Sequence, residues 1–287
     1  MRKLFILFTV FWFSILPSFS EVYEAKYCPI SKTEETGSTF SKVISAVTGS
    51  TFASSKAAEL AIQKIIKAQL SSNANIEIYP YSLTSLIQGI FKKMTINSKS
   101  LNLGGIYVSK FESETVCDYN HIGVKDNNLL FKENFVMSFS GMITKDDLEK
   151  TMSTPQYLKM VESAKISVLG QELFKLSYMK ISIANNKLVF NANVMSPVFW
   201  GTDTKKITAT SGISVQDGKI KYENIKIQNS ELGKNLQALL SLVNLVNPFT
   251  FEIKLSENTK GYTIIKNVII VNNEMKLDGV LYVPKNN

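Results

Sequence analysis

Histidine is nearly absent from this chain, and its scarcity excludes most hydrolytic and metal chemistry. His121 is the only histidine, so a zinc site or a Ser-His-Asp arrangement would have to use it. Its surroundings predict a loop between strands. No serine lies in a nucleophile elbow, and the sequence contains no glycine-rich phosphate-binding loop. We therefore expect no enzyme activity, no metal ion and no cofactor.

Two pairs of carboxylates remain as candidates for acid–base chemistry. Asp146 and Asp147 lie where the pattern predicts the first turn of a helix, a place that acids favour because of the helix dipole. Glu112 and Glu114 share one face of a predicted strand. We expect the first pair to stabilise a helix and the second to face solvent.

Arginine is as scarce as histidine. Of the 32 lysines and arginines, Arg2 and Lys3 fall at the N-terminus, and the other 30 are all lysines, against 24 acidic residues. Lysine lacks the planar fork with which arginine recognises phosphate. A lysine-rich surface fits diffuse attraction to an anionic membrane, and we expect no nucleic-acid partner. Alternatively, the lysines are ordinary solvated residues on strand faces.

Residues 1–20 predict a secretory signal. Arg2 and Lys3 precede an apolar run from Leu4 to Phe19, and small residues occupy the two positions that a signal peptidase reads. The run is shorter than the roughly 20 residues that cross a bilayer. An uncleaved N-terminal anchor is the alternative. We expect export to the periplasm or another extracytoplasmic part of the cell envelope.

Cysteine is limited to Cys28 and Cys117, which do not have the spacing of metal ligands. In an oxidising compartment the two could form a disulfide that ties the N-terminal segment to the rest of the chain. The sequence leaves open whether they do.

The rest of the chain is predicted to contain two amphipathic helices. Residues 21–55 are rich in serine and threonine and predict a flexible lead-in, whereas residues 56–287 predict a single domain. Apolar residues recur every three or four positions from Ala58 to Leu70, which predicts the first helix. The same spacing predicts a second helix over 232–246, ended by Pro248.

Most of the domain reads as antiparallel strands. Asn185-Asn186, Asp217-Gly218 and Asn272-Asn273 each separate two alternating segments, as in tight hairpins. The alternation slips by one residue near Asn224, which predicts a β-bulge there. Runs of strands with few helices indicate an α+β fold, with a long curled antiparallel sheet wrapped around the amphipathic helices.

Further elements follow from local signals. Thr144 precedes Asp147 by three residues, which resembles a capping box at the start of a helix. Pro155 suits the first position of another short helix. A strand is expected from Phe249 to Leu255.

The apolar residues allow two interpretations. They fill an ordinary packed core, or they enclose an apolar groove for acyl chains, and composition alone does not separate the two. Val198, Phe199 and Trp200 follow a proline outside any strand pattern, and such a loop could enter a membrane interface. Alternatively, the loop folds over the end of the core.

The order of these elements resembles the LmeA-like phospholipid-binding family of bacterial envelope proteins, which is related to the tubular lipid-binding (BPI-like) superfamily. The resemblance covers roughly 55–283. It is carried by Leu83-x-x-Leu86-Ile87-x-Gly89 before a strand, the alternating stretch from Met94 to Val116, Phe139-Ser-Gly141-x-Ile143-Thr144-x-x-Asp147-Leu148, the hairpin at Asp217-Gly218, and the leucine-rich helix from Leu232 to Val246 leading into strands with Gly279.

The resemblance implies a tubular lipid-binding-like fold that holds a phospholipid or another acyl-chain lipid at a membrane surface, without catalytic residues. We accordingly predict an apolar cavity wall made of Ile62, Ile65, Ile66, Leu70, Leu86, Ile90, Phe139, Phe190, Leu236, Leu239, Leu240 and Val243. Two other functions stay open. One is a structural or interaction module of the envelope with no ligand, and the other is a hydrolase acting on envelope lipid or glycan.

Overall fold

The structure is a computed structural model that describes residues 28–29, 63–64, 67, 74–125, 128–201, 203–228, 236–250, 253–256 and 259–285. The predicted signal and most of the predicted lead-in and first helix therefore lie outside the described residues. Within that first helix, Gln63, Lys64 and Lys67 have helical backbone.

Strands dominate the described part of the chain, and every pairing between them is antiparallel. In chain order the strands are β1 Asn75–Tyr79, β2 Ile90–Phe91, β3 Lys93–Ser98, β4 Leu101–Leu103, β5 Ile106–Val108, β6 Lys110–Thr115, β7 Asn120–Lys125, β8 Asn128–Phe131, β9 Phe135–Ile143, β10 Lys165–Val168, β11 Gln171–Ala184, β12 Lys187–Met195, β13 Thr204–Gln216, β14 Lys219–Ile227, β15 Ile253–Ser256, β16 Thr259–Val271 and β17 Glu274–Val283.

Besides the helical residues 63, 64 and 67, five short helices accompany these strands within the described residues. They are α1 Leu83–Ile87, α2 Lys145–Met152, α3 Pro155–Ser163, α4 Pro197–Trp200 and α5 Leu236–Leu245, and a 3₁₀ turn follows at Pro248–Thr250.

Two large sheets organise the fold. The seven-stranded sheet has the order β1-β3-β6-β9-β17-β16-β15, and the five-stranded sheet has the order β10-β11-β12-β13-β14. Small sheets of β2-β7-β8 and of β4-β5 complete the topology. The antiparallel sheet structure includes a sheet that is curled into a half-barrel. The predicted antiparallel α+β architecture is therefore confirmed at this level.

The seven-stranded sheet is apolar on one face and polar on the other, because its strands alternate. Phe135, Met137 and Phe139 of β9 are buried on the inner face, whereas Glu112 and Glu114 of β6 are exposed on the outer face. The register places Phe139 opposite Gly279 of β17. Glycine fits there because a Cβ would collide with the Ile264 carbonyl oxygen and lie 2.9 Å from Cζ of Phe139.

The helices begin at residues that satisfy their first N–H groups. Thr144 and Asp147 form a full capping box on α2, with the Thr144 amide donating to Oδ2 of Asp147 at 2.8 Å. Thr154 accepts from the Tyr157 amide at 3.3 Å, and Pro155 occupies the first turn of α3. Such caps contribute about 1 kcal/mol each. Both helix starts were predicted from the sequence, and both are confirmed.

A main core joins the two large sheets and the helices that pack against them. It takes side chains from the five-stranded sheet, from α2, α3 and α5, and from the inner face of the seven-stranded sheet; these include Phe174, Leu176, Phe190, Tyr222, Leu148, Tyr157, Leu242, Val246, Phe139 and Leu277. A second core lies at the other end of the seven-stranded sheet, against α1 and the three-stranded sheet; it includes Ile76, Leu86, Met94, Ile122, Phe131 and Phe135.

The two large sheets also meet through their turns. The amide of Asn186 donates to Oδ1 of Asn273, and the amide of Asn273 donates to Oδ1 of Asn186, both at 3.1 Å. The Ile265 amide donates to the Gly218 carbonyl at 2.8 Å. The hairpin turns predicted from asparagine and glycine therefore close their own strands and also connect one sheet to the other.

The predicted bulge near Asn224 is confirmed. Thr210 pairs with Lys226 and Gly212 pairs with Glu223, so Ser211 alone faces two residues of β14. Asn224 has a φ of 50°, which asparagine tolerates better than most residues.

Three local predictions are wrong. His121 lies in β7, paired with Ile90, and not in a loop. Phe249 lies in the 3₁₀ turn and not in the strand expected from it, whose described part is Ile253–Ser256. The Phe249 amide instead donates to Oδ1 of Asn247, which turns the chain before it can extend. The segment after Pro197 is a short helix and not a loop.

Candidate functional site

Helix α5 lies against the five-stranded sheet, and most of its residues are apolar. Leu242 and Val246 are almost fully buried in the main core, and Val243 packs against it. Leu245, by contrast, is 52% exposed. No charged residue occurs in α5. Its apolar surface therefore extends beyond the part that the sheet covers.

The C-terminal end of α5 is held by one buried amide. Asn247 is 4% exposed, and its Oδ1 accepts from the Tyr222 hydroxyl at 3.1 Å and from the Phe249 amide at 3.0 Å. Its Nδ2 donates to the Ile220 carbonyl at 2.9 Å. These directional bonds fix this end of the helix to β14, whereas the contacts of Leu242 and Val246 are apolar and non-directional.

Two phenols lie inside the main core, and one of them, that of Tyr222, contacts Asn247 at the end of α5. Burial raises the pKa of Tyr222 well above its usual value, and the neighbouring Tyr157 adds to the rise. Burial, with a smaller contribution from Tyr178, also raises the pKa of Tyr157. Both phenols therefore stay neutral at physiological pH and keep a proton to donate. The Tyr157 hydroxyl has no hydrogen-bond partner among the described residues.

The residues predicted to form a cavity wall do not all come together. Phe139 and Phe190 share the main core, and the ring of Phe190 meets that of Tyr222 edge-on at 4.9 Å. Leu86 belongs to the second core, and Ile90 is buried in β2. The positions outside the described residues are Ile62, Ile65, Ile66 and Leu70, and the same holds for the side chains of Leu236, Leu239 and Leu240.

The predicted membrane-contact segment lies at one end of the five-stranded sheet. Val198 and Phe199 are each 50% exposed in α4, while the side chain of Trp200 lies outside the described part. The inner side of Phe199 stacks on Phe174 of β11, with ring centroids 5.4 Å apart. The segment therefore covers the end of the core and still presents apolar surface to solvent.

Sequence reasoning missed an apolar turn at the same end of this sheet. Leu169 joins β10 to β11 and is fully exposed, and Val168 before it is 52% exposed. The signal was present in the sequence, because two aliphatic residues directly before Gly170 are unusual in a tight turn.

A polar groove of about 550 Å³ runs along the outer face of the seven-stranded sheet. It contains both carboxylates of the pair on β6. Glu114 forms an ion pair with Lys93 at 2.7 Å, and Glu112 forms one with Lys110 at 2.8 Å. Because the carboxylates are exposed and paired, the groove is polar and nearly balanced in charge, which does not suit an acyl chain.

The remaining candidates for chemistry are spread apart. Asp147 is buried and caps α2, as expected, while Asp146 is exposed in the same turn. The described residues include no group of three or more histidine, cysteine, aspartate or glutamate side chains that could hold a metal ion.

Cys28 and Cys117 form a disulfide, with their Cα atoms 5.4 Å apart. Cys117 packs with Val136 and Val280 on the outer side of β9 and β17. The bond therefore ties the N-terminal part of the chain to the seven-stranded sheet, which is the outcome that the sequence had left open.

Comparisons with family models, with curated proteins and with solved structures find no match for this chain. The resemblance to the LmeA-like family stays a prediction. Among the described residues, no helix is long and apolar enough to cross a membrane.

Proposed function

We propose that this protein is an exported lipid-binding protein that holds the acyl chains of a phospholipid between α5 and the inner face of the five-stranded sheet. A helix lying within a curled antiparallel sheet is the arrangement expected of a tubular lipid-binding-like fold. The observation that carries the proposal is the sheet-facing side of α5, where Leu242 is buried and Val243 packs against the main core on a helix without charge.

The contacts under α5 are of a kind that an acyl chain can replace. Burying each methylene contributes about 0.8 kcal/mol, whether the methylene belongs to a leucine or to a lipid tail. Asn247 would keep the C-terminal end of α5 in place while the rest of the helix adjusts. The Tyr157 hydroxyl is a buried donor that the ester carbonyl of a lipid would satisfy.

The proposal places the protein in the periplasm or another extracytoplasmic space, as a peripheral partner of membranes and not as an enzyme. The disulfide between Cys28 and Cys117 supports this location, because disulfides persist in oxidising compartments and are rare in the cytosol.

Mass spectrometry of bound lipid tests the proposal. The full-length protein, purified without detergent and extracted with organic solvent, is expected to release phospholipid. Val243→Asp is expected to release much less, since it places a charge where Val243 packs against the main core. Leu245→Asp is the matched control, because this side chain of the same helix is half exposed.

Two results would contradict the proposal. One is wild-type protein free of lipid, and the other is equal lipid retention in a folded Val243→Asp variant and in Leu245→Asp. Circular dichroism checks that both variants are folded.

A structural or interaction module without a ligand is the second candidate function. Its support is that Leu86, Phe139 and Phe190 are at most 9% exposed within packed clusters. The groove on the outer face, moreover, is polar. Absence of lipid from the purified wild-type protein would favour this module over the carrier.

A further inference from the structure

The turn between β10 and β11 has a residue that neither its backbone nor its packing favours. Leu169 and Gly170 both have positive φ, of 51° and 81°. Asparagine fills the equivalent positions in the turns at 185–186 and 272–273, because it tolerates this backbone, whereas leucine is strained in it. The Leu169 side chain is nevertheless fully exposed and gains no contact in return.

Helix α4 brings a second apolar surface to the same end of the sheet. The Ser196 hydroxyl donates to the Leu173 carbonyl of β11 at 2.5 Å, which seats the start of α4 on that strand. Leu173 is three residues from Gly170, or about 10 Å along the strand. Val198 and Phe199 therefore lie at the same end of the sheet as the turn that carries Leu169, and all three are at least half exposed.

The charges around this end are those that suit an anionic surface. The segments 165–175 and 196–206 contain four lysines, Lys165, Lys175, Lys205 and Lys206, against two acids, Glu172 and Asp203. Exposed apolar side chains bordered by a surplus of lysine are typical of proteins that enter the interface of a bilayer with anionic lipids.

We propose that Val168, Leu169, Val198 and Phe199 form a docking tip that inserts into the interface of a bilayer containing anionic phospholipid. The inference rests on the proposed lipid-binding function, because it names the surface at which the protein meets its source of lipid. Phe174 connects the two sites, since it belongs to the main core and stacks on Phe199.

Vesicle binding by the full-length protein tests the docking tip. Wild-type protein is expected to co-sediment with vesicles of phosphatidylcholine and phosphatidylglycerol, and more weakly with phosphatidylcholine alone or at high salt. Leu169→Asn is expected to weaken binding to the mixed vesicles about tenfold, since it removes one inserted aliphatic side chain.

Leu169→Asn has an advantage over most surface substitutions. Asparagine suits the positive φ of this turn, so the variant is expected to unfold at the same temperature as the wild type or higher. Weaker binding in a variant of equal or greater stability does not arise from misfolding.

Ile269→Asn is the matched control. Ile269 is 43% exposed on β16, close to the turn at Asn272-Asn273, which meets Asn186 at the opposite end of the five-stranded sheet. The control is expected to bind mixed vesicles like the wild type. The docking tip is wrong if Leu169→Asn binds like the wild type, if Ile269→Asn loses as much, or if the wild type does not bind vesicles.

Bound lipid, measured on the same preparations, separates the two proposals. If both the wild type and Leu169→Asn contain bound phospholipid and bind vesicles equally, the lipid site is supported and the docking tip is overturned. Vesicle binding that depends on Leu169 in a protein free of bound lipid would support the docking tip and overturn the lipid site.

Discussion

At the scale of single residues, two tyrosines in one core differ in their hydrogen bonding, and the sequence does not predict this difference. The Tyr222 hydroxyl donates a hydrogen bond to Oδ1 of Asn247 at 3.1 Å, whereas the Tyr157 hydroxyl is buried without a hydrogen-bond partner among the described residues. A buried donor that lacks an acceptor costs about 1–3 kcal/mol, and a donor that has one stabilises by about 1 kcal/mol. The same residue type should therefore have opposite effects on stability at the two positions.

Removing the two hydroxyls tests this difference. In lipid-free protein, Tyr157→Phe is expected to raise the free energy of unfolding by about 1 kcal/mol, because it removes the unsatisfied group. Tyr222→Phe is expected to lower it by about 1–2 kcal/mol, because Asn247 loses a donor. Urea unfolding measures both. The interpretation of Tyr157 fails if both variants lose equal stability.

At the scale of elements, the hairpin of β16 and β17 depends on a close approach of two backbones. The register shifts between Ile265 and Asn267, opposite Gly279, and this irregularity brings the Ile264 carbonyl over the glycine. The ring of Phe139 fills the remaining space on the neighbouring strand. Gly279 is required there by packing and not by its backbone angles.

Gly279→Ala is expected to lower the free energy of unfolding by about 2 kcal/mol or more, because the new Cβ meets a carbonyl oxygen that cannot rotate away. Gly212→Ala in β13 is the control, since the nearest atom to its Cβ, the Glu223 carbonyl oxygen, would be 3.7 Å away. Thermal unfolding measures both, and equal melting temperatures for the two variants would contradict the packing argument.

At the scale of the whole molecule, long-range links hold the N-terminal part of the chain and the two sheets together. The Cys28–Cys117 disulfide joins residues separated by 89 positions, and the paired amides of Asn186 and Asn273 connect two hairpin turns. A cross-link over so long a loop restricts the unfolded chain strongly, whereas an exposed pair of hydrogen bonds contributes little.

Reduction of the disulfide is expected to lower the free energy of unfolding by about 4.6 kcal/mol in the chain-entropy model. Urea unfolding with and without a thiol reductant measures the loss. Cys28→Ser is expected to show the same loss and no further response to reductant. A wild-type protein equally stable in both conditions would show that the bond contributes nothing.

Much of the local structure could be predicted because its signals are short in range. Thr144 and Asp147 are three residues apart, which is enough to cap α2, and Asp217-Gly218 is enough to close a hairpin. Strict alternation in β12 predicted which of its side chains are buried. His121 was misplaced because pairing with the short strand β2, thirty residues earlier, overrides a polar local sequence.

The candidate site could be predicted only in part. The sequence by itself determined which residues are apolar and at what period they recur, because hydrophobic spacing follows from the geometry of helices and strands. Only the tertiary structure decided that Phe139 joins Phe190 while Leu86 packs in another core, and that Leu169 lies at the same end of a sheet as Phe199. The physical reason is that burial depends on which distant segments pack against each other, and a local sequence pattern does not specify those segments.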